Sequence, residues 1–101
     1  MERGWRVKTA PEYPQPPLHA GEVCEVTSNV FCPHVREAAL NGAPYDPALH
    51  LVTGAAVLMH SGDVFVAVAV IDGGSLVLFR LSGRLLVIWA KRVKRSAVKL
   101  S

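Results

Sequence analysis

Three glycine-centred tetrads punctuate the second half of this chain and fix what it can fold into. They are His60-Ser61-Gly62-Asp63, Asp72-Gly73-Gly74-Ser75 and Leu81-Ser82-Gly83-Arg84, with Thr53-Gly54 as a softer break upstream. Between them run Ala55 to Met59, Val64 to Ile71, Leu76 to Arg80 and Leu85 to Ala90, rich in β-branched and aliphatic residues. Short β-prone runs joined by tight glycine turns predict a mainly β fold: an antiparallel meander or small, partly open barrel with one short helix.

Parity sorts the meander's side chains, because residues paired across a two-residue turn share a face. One face collects Ala55, Val57, Met59, Val64, Val66, Val68, Val70, Val77, Phe79, Leu81, Leu86, Ile88 and Ala90. The other collects Gly54, Ala56, Leu58, Phe65, Ala67, Ala69, Ile71, Leu76, Leu78, Arg80, Leu85, Val87 and Trp89. Both are apolar, whereas antiparallel sheets commonly leave one face to water. Two dry faces need two covers. Curling of the sheet encloses the first. Self-association, a partner, or the N-terminal half covers the second, whose candidate partner-binding residues are Phe65, Leu78, Arg80, Val87 and Trp89.

The 101 residues suit one domain, half of them hydrophobic and fewer than a fifth charged. Residues 1–20 read as an extended arm, carrying Pro11, Pro14, Pro16 and Pro17, with a short edge strand over Gly4 to Thr9. Residues 21–50 read as a peripheral strand (Glu22 to Thr27), a helix over Pro33 to Leu40 stopped by Asn41-Gly42, and a loop. Residues 51–101 are the meander with its basic end. Apolar runs fall short of the roughly 20 residues of a spanning helix, and no secretory leader is visible, so the expected setting is the cytoplasm, without a membrane partner.

The net charge of +3 is unevenly spread. After Leu51 only Asp63 and Asp72 oppose Arg80, Arg84, Lys91, Arg92, Lys94, Arg95 and Lys99. Lys91, Arg92, Lys94 and Arg95 are therefore the candidate nucleic-acid contacts, able to neutralise phosphates. The competing reading is a strand end that charge protects from pairing.

Chemistry-bearing clusters are sparse. Cys24, Cys32 and His34 could meet a fourth ligand from His19, His50 or His60, but their spacing contains no close cysteine pair and no metal is expected. Cys32 before Pro33-His34 has no orienting third group for a nucleophile. Tyr45, Asp46 and His50 could line a pocket, though such loops are usually turns. No glycine pattern cradles phosphate and no cofactor is expected. The leading reading is a small non-enzymatic β-rich interaction module that self-associates or binds a protein. A nucleic-acid-binding β-domain is the alternative, and an enzyme or ligand binder with a site at a subunit interface is third.

Overall fold

A computed structural model describes residues 17–97 of the chain. The expected edge strand over Gly4 to Thr9 and most of the proline-rich arm lie outside the described residues. Seven strands form one unclosed antiparallel sheet: β1 (Val23–Val26), β2 (Val30–Val35), β3 (Leu51–Met59), β4 (Val64–Ile71), β5 (Leu76–Leu81), β6 (Arg84–Trp89) and β7 (Val93–Arg95). Their spatial order is β3-β2-β6-β5-β4-β1-β7. A 3-10 turn (Glu37–Leu40) and one helical turn, α1 (Pro47–His50), interrupt the loop between β2 and β3.

The meander β4-β5-β6 follows the glycine turns. Ser82 and Gly83 both have positive φ (52° and 78°), the mirror-image turn that matches strand twist. The turn before it is two residues wider than the minimum, since Ile71 pairs with Leu76, but the register is the one parity predicts. That register holds up to Ala69, which faces Leu78. Then Ala67 pairs with Phe79, so Val68 is an extra residue on β4.

This bulge overturns the parity sorting of the first half of β4. One inserted residue exchanges the faces of everything beyond it. Phe65 and Ala67, sorted to the second face, are buried with the first, and the Phe65 and Phe79 rings stack at 4.1 Å. Val64 and Val66, expected in the core, are exposed, and Val68 is half-buried.

Two further expectations are corrected. The His60–Asp63 turn forms, with the Asp63 amide donating to the His60 carbonyl at 2.9 Å, but it does not close a hairpin. It carries the chain from edge strand β3 across to β4, because β2 takes the pairing of β3 from Val30↔Met59 to Pro33↔Ala56. The expected helix over Pro33 to Leu40 is absent. Pro33 lies within β2, and only Glu37–Leu40 turns, as a 3-10 piece. Val30 and Val35 favour extended backbone, and a proline restricts the residue before it to the same region. Proline within a strand belongs at irregularities. Here Val35 next pairs with Leu51, so residues 52–55 loop out of β3 opposite His34 alone, around Gly54 with φ of 79°.

Two apolar layers result. The inner one joins Cys24, Val26, Cys32, Met59, Phe65, Val77, Phe79, Leu86, Ile88 and Val93. The outer one packs Val35, Ala39, Leu76, Leu78, Leu85 and Val87, with Leu40, Tyr45 and Leu51 against them. The loop 36–50 thus covers much of the second face. It is tied down by the fork of Arg80 on Glu37 (2.7 and 2.8 Å) and by the Arg36 amide on the His50 carbonyl (2.7 Å). Among the described residues, no helix is long and apolar enough to cross a membrane.

Candidate functional site: a slot walled by Phe31 and Trp89

β2 and β6 share a sheet through one bridge, His34↔Leu86. Counting three residues back along β2 and three forward along β6 brings Phe31 level with Trp89. A slot of about 760 Å³ is lined there by residues of both strands. Its lining mixes the two layers: Leu76 and Val87 come from the outer one, Val30, Ile88 and Ala90 from the inner one.

Two aromatic side chains wall the slot. Phe31 is 67% exposed and Trp89 52%, the most exposed aromatic residues among those described. Tyr45, Pro47 and Leu51 close one end, and Pro33 adds a ring that has no N–H. Polar groups stand at the rim: Asp72, Ser75 and Lys91, whose Nζ lies 4.5 Å from the Trp89 ring centroid. This size, an apolar lining and a few polar groups are the ordinary attributes of a binding cleft.

Of the residues singled out in the sequence, Val87, Trp89, Lys91 and Tyr45 line the slot. Phe65 and Leu78 are interior, and Arg80 is held on Glu37. The basic end is divided. The chain turns over Ala90–Arg92, then β7 pairs with β1. Arg92 donates to Ser28 Oγ at 2.9 Å, while Arg95 bridges Glu22 at 2.8 Å and donates to the Pro17 carbonyl at 2.7 Å. Lys91 and Lys94 are exposed.

Tyr45, Asp46 and His50 do come together, as a helix cap. The Asp46 carboxylate accepts from the Ala48 amide at 3.0 Å, the Asp46 amide donates to His50 Nδ1 at 3.0 Å, and the Tyr45 and His50 rings stack at 5.6 Å. Burial, then the carboxylates of Asp72 and Asp46, push the Tyr45 hydroxyl pKa up. Cys24 and Cys32 are buried free thiols. Burial pushes Cys32 up to about 11, the opposite of an activated nucleophile, and burial followed by the Glu22 carboxylate raises Cys24. Among the described residues no three His, Cys, Asp or Glu side chains are grouped to hold a metal ion.

Sequence reasoning missed Phe31 and Pro33, taken as the approach to a helix. The signal was the alternation of Val30, Cys32 and the residues between them, a strand pattern that the proline obscured. Comparison of the chain with family models, with curated proteins and with solved structures finds no match.

Proposed function

We propose that this chain is a non-enzymatic interaction module whose slot takes an extended apolar segment of a protein partner, a second copy included. The observation that carries this reading is the pair of open aromatic walls, Phe31 and Trp89, over an apolar cleft. Exposed clusters of this kind mark interaction sites, and tryptophan is enriched among the residues that dominate interface energy. β2 and β6 share a single bridge, and an extended segment laid along the slot would pair with backbone groups beyond it. We assign the module to the cytoplasm, where buried free thiols stay reduced.

Random peptides displayed against the full chain, followed by titration of the enriched ones, test the proposal. Enriched peptides should be apolar and extended. Trp89→Ser and Phe31→Ser should each weaken binding at least about tenfold while the circular dichroism stays unchanged, the loss expected of a buried aromatic anchor. Binding insensitive to both substitutions sinks the slot.

The second reading, nucleic-acid binding, draws support from Lys91 and Lys94, both exposed. Four phosphate contacts from Lys91, Arg92, Lys94 and Arg95 would give a log–log salt slope of roughly −3 to −4. With both arginines engaged internally, a slope nearer −2 is expected if nucleic acid is retained at all. No retention at low salt removes this reading.

A further inference from the structure

We infer that the chain pairs with a second copy of itself along β3, edge to edge and antiparallel, so that two sheets run on as one. The unguarded chemistry of this edge, and what a two-fold axis does to it, point to a copy as the occupant.

Among the described residues, β3 is the outermost strand on one side of the sheet and β7 on the other. An outer strand presents backbone donors and acceptors without a ladder partner, and proteins guard such edges with short length, charge or proline. β7 is guarded: it has three residues, and two of them are Lys94 and Arg95. β3 runs for nine residues, Leu51–Met59, with no charge and no proline. The loop-out around Gly54 blunts its first half, but the second half keeps step with β2, from Pro33↔Ala56 to Val30↔Met59. Among the described residues, no loop backbone bonds to Ala56, Val57, Leu58 or Met59.

The side chains fit the same occupant. Leu58 is 39% exposed beside its cross-strand partner Phe31, and Ala56 is exposed as well. Partners across an antiparallel pair share a face, so Phe31 and Leu58 form an apolar strip that ends at the open edge. A two-fold axis perpendicular to the sheet lays Ala56 to Met59 against the same residues running the other way. Every facing pair is then apolar, and no like charges meet. A charged segment finds no counter-ion along this stretch, whereas the copy needs none. Four residues a side make a contact smaller than the roughly 1,200 Å² of stable complexes, so the dimer is concentration-dependent, micromolar or weaker. The pairing lies across β2 from the slot and does not depend on how the slot is read. Three strand spacings of about 4.8 Å set β2 and its copy about 14 Å apart, with both Phe31 rings on one face.

Sedimentation of the full chain from micromolar to near-millimolar concentration tests the inference, and the mean mass should rise toward that of a dimer. Leu58→Lys and Ala56→Lys, both at exposed positions, should each weaken association at least about tenfold with circular dichroism unchanged. Trp89→Ser should leave it unaltered. Val57→Cys and Leu58→Cys mark the two positions where the axis can pass while pairing stays within Ala56 to Met59. Facing residues of an antiparallel pair have Cα atoms about 4.5–5.5 Å apart, within reach of a disulfide, so mild oxidation should link chains at one of the two. Cys24 and Cys32 are buried and stay silent. A monomer mass throughout the range overturns the inference, as do association indifferent to both lysines and a crosslink at neither cysteine. Amides of Val57 and Leu58 protected from hydrogen exchange equally at every concentration would show the edge covered within one chain, and reject the copy. Association lost with Trp89→Ser but kept with Leu58→Lys would place the contact at the slot, overturning the edge while the slot reading stands.

Discussion

Cys32 illustrates how burial alone decides chemistry. Its thiol, fully enclosed in the inner layer, is pushed up to about 11 from 9.0. Between those values the folded chain holds a proton that the unfolded chain releases, so stability is complete below about pH 9 and falls as pH rises toward 11. Urea unfolding measured at pH 8, 9 and 10 should show the decline, and Cys32→Ala should make it shallower. Thiol reagents should label neither Cys24 nor Cys32 at pH 8 until denaturant is added, since the thiolate is the reactive form. The ion pair of Arg80 with Glu37 contrasts with this. The hydrogen bond from Arg80 holds the Glu37 carboxyl below its usual range, yet both groups face water and screening leaves little of that for stability.

At the scale of the element, turns were legible and bulges were not. Ser82-Gly83 announces itself, because two successive positive φ values demand residues that tolerate them. Gly83→Ala should cost about 1 kcal/mol in thermal or chemical unfolding, although nothing crowds the added methyl group. The faces of β5 and β6 were readable from parity for the same reason. Val68 could not be read as a bulge: it sits in an unbroken run of Val and Ala whose residues suit either face, so no polar residue marks the slip. Mutagenesis separates the outcomes. Phe65→Ala, in the core against Phe79, should cost about 3–5 kcal/mol, a large share of a domain stable by about 5–15 kcal/mol. Val66→Thr, one residue away and exposed, should change stability by no more than about 0.5 kcal/mol. Had the parity held, the ranking would be reversed. The slot was half legible for a related reason. Trp89 stood out as an aromatic side chain on a sheet face, but its opposite wall, Phe31, comes from a strand that Pro33 disguised as a helix start.

On the scale of the whole molecule, the sheet is assembled largely from distant parts of the chain. β7 lies on β1, β2 on β6, and β3 and β4 are separate although only a four-residue turn joins them. Such non-local pairing must close long loops before it is rewarded, so refolding from denaturant should take about milliseconds to seconds. The basic end belongs to this framework: Val93 is in the inner core, and the Arg92 carbonyl accepts from both the amide and the hydroxyl of Thr27. Changing Arg92 and Arg95 to Gln should therefore lower the thermal midpoint, whereas changing Lys91 and Lys94 to Gln should leave it nearly unaltered. Equal effects from the two pairs would show that Ser28, Glu22 and Pro17 do not depend on their arginine partners. No charge count could assign those roles, because it cannot say which cations turn inward.

Three residues, Thr27-Ser28-Asn29, carry the chain from β1 to β2, and around them gather the Ser61 amide on Asn29 Oδ1 (2.9 Å), the Ser61 hydroxyl on the Thr27 carbonyl (3.2 Å) and Arg92 on Ser28. Cys24 and Val26 before this corner and Cys32 after it all enter the same inner layer. The corner consequently fixes the phase between two halves of the sheet. One residue inserted there would rotate one half against the other, sending either the Cys24 side or the Cys32 side into solvent, while the exposed stretch 41–44 can lengthen freely. Among descendants of this chain, length variation should collect at 41–44 and be barred from 27–29, whatever happens to the residue types at either place.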